Sequence, residues 1–271
     1  MPELPEVEVI VRGLRKNIIG LKILEFKIIN KHLRIEAPKE MEFLYKNKII
    51  KHIFRIGKYG IILLNGKHHI LFHLGMTGKF SFAKKSNYFK KHDHISIVLN
   101  KDITLNYNDV RKFGYFAKVS NPLSLHNFKK LGVEPFLLKK YLNYLWVFFK
   151  KKNVDIKSLL LDQRFIAGIG NIYASEILFD SKIHPFKAAK KISKKSFSKL
   201  LNSIEKILKN SISKGGSTIK DYKNITGDLG YFQNDFKVYG REGLTCYKCK
   251  SLIIKVKSAG RSTFFCKNCQ K

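Results

Sequence analysis

The chain has 271 residues, of which 44% are hydrophobic, and its 53 Lys and Arg against 20 Asp and Glu give a formal net charge of +33. This length allows one large domain, or two ordinary domains with a small extra module. No apolar run approaches the roughly 18 residues that span a bilayer, so a membrane-spanning helix is not expected. The charge favours a polyanionic partner, with nucleic acid first and an acidic membrane surface second. Part of the charge can reflect an AT-rich genome, because Lys, Ile, Asn and Phe are all abundant.

The first part of the chain has the pattern of a helix followed by strands. Apolar residues at helical spacing predict a helix over residues 5–18. Short strands between Gly, Asn and Lys turns are then predicted at residues 23–29, 49–54, 61–64, 69–74, 95–99, 103–107 and 115–119. About seven strands of this kind indicate a β-sandwich or a barrel.

After Asn121-Pro122 the pattern becomes helical. Helices are predicted at residues 125–131, 139–151, 155–161, 172–179 and 196–212. The predicted fold is therefore α+β and multidomain. It has an N-terminal β-sandwich with a leading helix at residues 1–125, a helical domain at 126–235 and a C-terminal zinc β-hairpin at 236–271.

The zinc prediction rests on the four cysteines, Cys246, Cys249, Cys266 and Cys269, which all lie near the end of the chain. Two C-x2-C pairs separated by 16 residues have the spacing of a tetrahedral zinc site. Disulfides are not expected, because no signal peptide is evident and cysteines confined to one tail would not cross-link the core. We expect one structural Zn2+. His92 and His94 could form another metal pair, but no third ligand is apparent.

The N-terminus offers a possible reactive group. Removal of Met1 would leave Pro2 with a free secondary amine. Such an amine adds to an aldehyde-like carbon and forms an iminium that cannot lose an N–H proton, which makes it a lasting electron sink. Glu3 could supply or take the proton. Composition alone favours the simpler interpretation, in which proline stiffens the start of a helix.

The order of residues changes that balance. The opening Pro2-Glu3-Leu4-Pro5-Glu6-Val7-Glu8 resembles the start of the formamidopyrimidine-DNA glycosylase family, bacterial base-excision repair enzymes that remove 8-oxoguanine and ring-opened purines. The resemblance continues in family order over nearly the whole chain, at residues 55–59, 73–78, 109–114, 162–176, 215–218, 238–241 and 260–266.

This resemblance implies a glycosylase that is also an apurinic-site (AP) lyase acting by β,δ-elimination. Pro2 matches the nucleophile that attacks the sugar C1′, and Glu3 matches the acid beside it. Lys58 matches a lysine that contacts phosphate and donates a proton in β-elimination, in a turn that Gly57 and Gly60 would form. Arg261, at the expected tip of the zinc hairpin, matches the arginine of phosphate binding and δ-elimination. Without the motifs, Lys58 and Arg261 would be ordinary surface cations.

The resemblance also implies residues that replace a flipped base. Met76, Arg111 and Phe113 match the side chains that fill the gap in the duplex, with the arginine on the orphaned cytosine. By composition alone, Met76 and Phe113 would be core residues.

Further DNA contacts are implied by the same resemblance. Asn171 matches an asparagine that binds DNA near the lesion from a helix–two-turns–helix motif, which gives the helical domain its expected form. An ordinary helix N-cap is the alternative for this residue. The remaining matched DNA-contact positions are His73, His92 and Lys152. Residues 217–229, with Asp221, Tyr222 and Gly227, correspond to the loop that closes over the flipped base.

The sequence departs from the family pattern at a few positions. Val110 and Lys112 replace a common proline and arginine, and Thr245 replaces the proline usual before the first cysteine. Lys250 stands where glycine often follows the second cysteine, so a left-handed turn there would cost about 1 kcal/mol.

Three alternative functions stay open at this point. An endonuclease VIII-type glycosylase for oxidised pyrimidines typically has glycine where Leu4 stands. A non-catalytic zinc-hairpin DNA-binding protein would not need Pro2. An RNA- or ribosome-associated zinc protein would explain the charge and the cysteines, but not the three gap-filling residues. The expected partner is double-stranded DNA containing an oxidised base, and no membrane partner is expected. We expect a monomer in the bacterial cytoplasm, associated with the nucleoid through its binding to DNA.

Overall fold

The structure of the protein is a computed structural model that describes residues 2–84, 89–121, 130–218, 225, 227, 229–258 and 260–271. It forms two compact units, Met1–Lys129 with Lys214–Tyr231, and Lys130–Ser213 with Phe232–Lys271. The segment Lys214–Tyr231 thus belongs to the first unit although it follows the main helices of the second. The three contiguous domains drawn from the sequence stay a prediction, since the two units group the chain differently.

The first unit begins with helix α1 (Leu4–Ile18), whose apolar face is buried as its periodicity predicts. The elements that follow are β1 (Ile23–Ile28), α2 (Met41–Leu44), β2 (Ile50–Ile56), β3 (Tyr59–Leu64), β4 (His69–His73), β5 (Lys79–Lys84), β6 (Asp93–Leu99), β7 (Ile103–Asn108) and β8 (Tyr115–Val119). All seven strands predicted from the sequence are present. Strand β5 and helix α2 were not predicted, because β5 begins and ends with lysine and α2 is a single turn.

The strands form two four-stranded antiparallel sheets, with orders β1-β6-β7-β5 and β2-β3-β4-β8. Apolar side chains of both sheets and of α1 make one core, in which Phe26, Tyr45, Phe72 and Phe116 are large members. The predicted β-sandwich with a leading helix is confirmed.

The second unit is helical. Its α-helices are α3 (Leu142–Lys150), α4 (Ile156–Leu161), α5 (Asn171–Asp180) and α6 (Lys194–Ser213), and short 3₁₀ helices lie at Pro135–Tyr141, Ala189–Lys191 and Phe232–Asp235. The predicted helix 139–151 therefore begins as a 3₁₀ helix. Most of the predicted helix 125–131 lies outside the described residues. Helix α5 is buried on nearly every side, as expected of a central helix.

The zinc hairpin packs within the second unit. Its strands β9 (Ile254–Ser258) and β10 (Arg261–Phe265) pair antiparallel, and Gly260 in the turn has φ +74°, which favours glycine. The carboxylate of Glu176, only 2% exposed, accepts the backbone N–H groups of residues 237–239 at 2.8–3.0 Å. Burial raises the pKa of Glu176 even though these N–H groups favour its ionised form. One helix residue thus fixes the segment that enters the hairpin.

The aromatic core of the second unit gives a direct stability test. Phe149 is fully buried against the rings of Phe165 and Phe197, whereas Tyr144 on the same helix is 58% exposed. Phe149→Ala should lower the free energy of unfolding by about 3–5 kcal/mol, because it leaves a cavity. Tyr144→Ala should cost less than about 1 kcal/mol. Urea denaturation would measure both, and equal losses would contradict this account of the core.

Candidate active site

The start of helix α1 is held by one buried carboxylate. Pro2 and Glu3 are buried, and Glu3 is the N-cap residue of α1. Glu6 Oε2 accepts the backbone N–H of Glu3 at 2.9 Å, while Oε1 accepts the N–H and hydroxyl of Ser217 at 2.8 and 2.9 Å. Negative charge is favoured at a helix N-terminus. The residue next to Pro2 and the first residue of the expected closing loop therefore share one anchor.

The base of that loop is ordered around the same anchor. Ser217 pairs with Tyr231, and the Thr218 hydroxyl accepts the N–H of Gly230 at 2.8 Å. Ile225 packs directly on α1, since a Cβ at Gly13 would lie 2.5 Å from its Cγ2 atom. Asp221 and Tyr222 lie outside the described residues, and Gly227 is described with φ +94°.

Lys58 lies in a tight turn between β2 and β3. Ile56 pairs with Tyr59, so Gly57 and Lys58 are the two residues of the turn, and Gly57 has φ +57°. The prediction for Gly60 was wrong: it lies in β3 rather than in the turn. A Cβ at Gly60 would lie 2.0 Å from the ring of Phe72, so packing rather than turn geometry requires glycine there.

An ion pair connects this turn to α1. Arg55 donates to Glu8 Oε2 at 3.0 Å and to the carbonyl of Gly57 at 2.9 Å, and its side chain is only 6% exposed. Burial alone would raise the pKa of Glu8, but hydrogen bonds and charge from Arg12 and Arg55 outweigh it and hold the pKa below its usual value. The planar guanidinium thus fixes the turn that carries Lys58 relative to the helix that begins beside Pro2.

The predicted gap-filling residues lie on two adjacent turns. Met76 follows β4, while Arg111 and Phe113 lie between β7 and β8. Phe113 is 42% exposed, and the Arg111 guanidinium lies over its ring at 4.9 Å from the centroid. The core-packing alternative is therefore wrong for Phe113. A cavity of about 450 Å³ is lined by Arg34, His73, Gly75, Met76 and Phe113.

His73 lines this cavity in its neutral form. Burial first, and then the charges of Lys58 and Arg34, lower its pKa from 6.5 to about 4. Its Nδ1 atom accepts the N–H of Gly75 at 3.1 Å, so the single ring proton of the neutral imidazole lies on Nε2. His73 is thus an uncharged hydrogen-bond donor at neutral pH.

Two further predicted residues lie in the second unit beside the hairpin. Arg261 is the exposed first residue of β10, as predicted. Asn171 is the first residue of α5 and donates from Nδ2 to the carbonyl of Ser262 at 2.9 Å. The N-cap of α5 is Gly170, so the N-cap alternative for Asn171 was wrong. These contacts place the candidate DNA-binding asparagine against the strand that carries Arg261.

A buried lysine supports the same strand and was not found from the sequence. Lys157 is 4% exposed, and its Nζ donates to the carbonyl of Ser262 at 3.0 Å and to the hydroxyl of Thr263 at 2.7 Å. Among many lysines it gave no distinguishing signal. Lys152, which was predicted, is partly exposed and lies over the ring of Phe148 at 4.4 Å.

The four cysteines form the predicted metal site. The sulfur atoms all lie within 4.8 Å of one another; Cys246 and Cys269 are 3.9 Å apart, and Cys249 and Cys266 are 3.4 Å apart. A tetrahedron of Zn–S bonds near 2.3 Å requires sulfurs roughly 3.8 Å apart, so this cluster is positioned to bind one zinc ion. Lys250 has φ +64°, which confirms the predicted left-handed turn.

No other metal cluster was found among the residues that the structure describes. His94 is buried, and its Nε2 lies 2.8 Å from the carbonyl oxygen of Asp109. This contact gives one ring nitrogen of His94 a backbone partner. In the same described residues, no helix is long and apolar enough to cross a membrane.

Comparisons with known proteins agree over the entire chain. Models of the formamidopyrimidine-DNA glycosylase N-terminal domain, of its H2TH domain and of the zinc finger found in FPG and IleRS match residues 1–116, 131–223 and 243–271. Formamidopyrimidine-DNA glycosylase from Wolbachia pipientis wMel is 39% identical, with both chains fully covered. The enzyme from Rickettsia africae is 40% identical over 100% of this chain and 99% of the relative.

Solved structures give the same result. Lactococcus lactis Fpg in complex with DNA containing an abasic site is 36% identical over 99% of each chain, with a TM-score of 0.90. The wild-type Lactococcus lactis Fpg in complex with DNA containing N7-benzyl-Fapy-dG is 37% identical over 100% of each chain, also at 0.90.

The two-sheet unit, the helical unit with its cysteine hairpin and these matches define the class as a zinc-containing DNA-repair glycosylase. The chain belongs to the formamidopyrimidine-DNA glycosylase family, whose enzymes act on oxidised purines and typically also cleave AP sites. This result favours the oxidised-purine enzyme over the endonuclease VIII-type alternative and over both non-enzymatic alternatives.

The neutral state of His73 predicts a pH dependence of stability. The folded protein binds this proton less tightly than the unfolded chain, because the pKa falls from 6.5 to about 4. The contribution of neutral His73 to the free energy of unfolding is therefore fully present above pH 6.5. Up to about 3 kcal/mol of it is lost as the pH falls towards 4. His73→Gln should flatten the decline in unfolding free energy between pH 7 and pH 4.5. An NMR signal of His73 that titrates near pH 6.5 would contradict this.

The cysteine cluster predicts a matched pair of variants. Cys266→Ser should weaken zinc binding by about two orders of magnitude or more, since it removes a thiolate ligand. Ser251, whose hydroxyl lies 2.8 Å from Cys249 Sγ, is not a ligand, so Ser251→Ala should keep one zinc per chain. Zinc content after dialysis against a chelator, measured by mass spectrometry, would distinguish them. Equal zinc content in both variants would refute the four-cysteine site.

Proposed function

We propose that this glycosylase removes 8-oxoguanine and formamidopyrimidines from double-stranded DNA through Pro2, and then nicks the strand. After removal of Met1, the secondary amine of Pro2 attacks the sugar C1′, and the bond to the damaged base breaks. The base leaves with the bonding electron pair and is protonated. Opening of the sugar ring at O4′, with proton transfer to that oxygen, gives the iminium. Glu3 serves as the proton-transfer group.

The elimination steps use the other two predicted catalytic residues. The iminium withdraws electrons from the sugar, so a proton is lost from C2′ and the 3′-phosphate leaves in β-elimination. Lys58 is the proton donor in this step. Loss of the 5′-phosphate in δ-elimination then depends on Arg261, which binds phosphate from the zinc hairpin. Zn2+ bound by the four cysteines would hold the hairpin in place.

The shared carboxylate of Glu6 is the observation that best supports this proposal. A chain terminus is normally poorly ordered, and a nucleophile must be held in a fixed geometry. Here the residue after Pro2 is bonded to Glu6, which also binds Ser217 at the base of the loop expected to close over the base. An ordinary helix start explains the bond to Glu3, whereas the bonds to Ser217 connect that start to the base of the loop.

The remaining residues serve DNA binding in this proposal. Met76, Arg111 and Phe113 fill the gap left by the extruded base, with Arg111 on the orphaned cytosine. The other contacts come from His73, His92, Lys152 and Asn171. Exposure of Phe113 and the stacking of Arg111 on its ring support a role outside the core. The same proposal takes the enzyme as a monomer. It places the enzyme in the cytoplasm, where bacterial DNA lies, because its relatives include bacterial enzymes from Wolbachia and Rickettsia.

Borohydride trapping tests the nucleophile. With 8-oxoguanine opposite cytosine, reduction of the iminium should leave a covalent protein–DNA adduct that maps to Pro2. Pro2→Gly should keep DNA affinity but slow base release by about tenfold or more, because a primary amine replaces the constrained secondary one. Pro38→Gly, in a loop of the same unit, is the matched control and should be unchanged.

Three other outcomes would change the proposal. An unchanged rate in Pro2→Gly would remove Pro2 from the mechanism. An adduct only with an oxidised pyrimidine would assign the substrate to the endonuclease VIII type. Tight binding with no adduct on either lesion would indicate a protein that has kept DNA binding and lost the chemistry.

A further inference from the structure

The side chain of Asp109 is fully buried at the end of β7, between the two turns that carry Met76, Arg111 and Phe113. Its Oδ1 accepts the hydroxyl of Thr77 and, at 3.3 Å, the N–H of Arg111. Its Oδ2 accepts the N–H of Gly114 at 2.8 Å and the hydroxyl of Tyr107 at 3.3 Å. One carboxylate therefore binds donors from both turns.

The backbone of Asp109 connects a third segment. Its N–H donates to the carbonyl of His92 at 3.1 Å, in a residue with φ +73°. The Thr77 hydroxyl also accepts the N–H of Arg111 at 3.0 Å, so the two turns are bonded to each other as well. All three segments with predicted DNA contacts in this part of the first unit meet at Asp109.

Glycines bring the two turns into backbone contact. Gly75 has φ +62°, and a Cβ there would lie 2.3 Å from the backbone nitrogen of Gly114. A Cβ at Gly114 would lie 1.7 Å from the hydroxyl oxygen of Tyr107. At Gly75 and Gly114 no side chain separates the two backbones, so a shift of one turn there would move the other. The position of the Asp109 carboxylate thus determines where the side chains of Met76, Arg111 and Phe113 lie.

A buried carboxylate is tolerated only when donors satisfy it, and removing one of its acceptor oxygens leaves the donors to that oxygen unpaired. An asparagine at this position would keep the shape but offer only one oxygen. Its NH2 group would face N–H or hydroxyl donors on the other side. Asp109→Asn therefore changes the bonding of the two turns without creating a cavity.

We propose that Asp109 is a positioning residue that holds Met76, Arg111 and Phe113 as one rigid unit and so sets the preference for cytosine opposite the lesion. This inference rests on the proposed gap-filling function of those three side chains. Arg111 distinguishes cytosine from adenine only if its guanidinium is held in a fixed place, and its backbone N–H is bonded to both Asp109 and Thr77. Asp109 itself touches no DNA in this proposal.

The test compares Asp109→Asn with wild type on three duplexes under single-turnover conditions. These contain 8-oxoguanine opposite cytosine, 8-oxoguanine opposite adenine, and an abasic site opposite cytosine. Base release opposite cytosine should fall about tenfold or more, because small misplacements of positioning groups have large effects on rate. The cytosine-to-adenine rate ratio should contract. Cleavage at the abasic site, where no base has to be extruded, should change less than about threefold.

A double-variant cycle tests whether Asp109 acts through the gap-filling residues. In a Met76→Ala background, Asp109→Asn should add less than its effect in wild type, because residues that act as a unit are not additive. Thr77→Val removes one hydrogen-bond donor to Asp109 and keeps the carboxylate, so it should reduce the cytosine-to-adenine rate ratio to a smaller extent. This variant replaces Asp109→Asn in the test if Asp109→Asn fails to fold. Glu42→Gln is the control, since Glu42 accepts the N–H of Ile28 in the same unit at 2.7 Å.

The outcomes separate this inference from the function on which it rests. If Asp109→Asn or Thr77→Val slows all three substrates equally, or leaves the cytosine-to-adenine ratio unchanged, the positioning role of Asp109 is overturned. If Met76→Ala alone leaves base release unchanged, the gap-filling assignment of Met76 fails instead. Asp109→Asn could reduce the cytosine-to-adenine rate ratio and still have its full wild-type effect in the Met76→Ala background. That result would overturn the inference that the three gap-filling residues are held as one rigid unit.

Discussion

The carboxylate of Glu6 is the interaction on which the start of this chain depends. It bonds Glu3, three residues away, and Ser217, 211 residues away. Local helix geometry explains the first bond, because the free N–H groups and the dipole of α1 favour an anion. Only the folded first unit provides the second. The nucleophile proposed at Pro2 would need this kind of tertiary anchor, because a reacting group must be held in a fixed geometry.

The same physical arrangement recurs at three other points. The ionisable side chains there are Glu8 with Arg55, Asp109 and Glu176. They lie largely out of water and are satisfied by donors or acceptors at the ends of strands, turns and helices. Burying a charge is costly unless its partners are complete, so each group requires one particular backbone geometry around it. Glu8 with Arg55 and Asp109 support turns with predicted chemistry or DNA contacts, and Glu176 holds the segment that enters the zinc hairpin. The rigid interior thus fixes residues that themselves face solvent.

Local patterns predicted the parts of this structure that depend on local physics. Periodicity predicted α1 and seven strands, and cysteine spacing predicted the metal cluster, because both are set by geometry within a few residues. The motifs predicted Lys58 in its turn and Arg261 at the hairpin. The supporting residues Glu6, Asp109 and Lys157 were missed as such, since their bonding partners are distant in sequence or are backbone atoms. For the same reason the sequence did not indicate that Lys214–Tyr231 joins the first unit.

The Arg55 bridge shows that the composition of this chain contains more information than its net charge. Of 53 basic residues only eight are arginines. A lysine at position 55 would leave the charge at +33, yet its single ammonium lacks the planar fork that reaches Glu8 and the carbonyl of Gly57 together. In a chain so rich in lysine, the net charge does not distinguish one basic position from another. Arg55 therefore marks a place where the shape of the side chain matters as well as its charge.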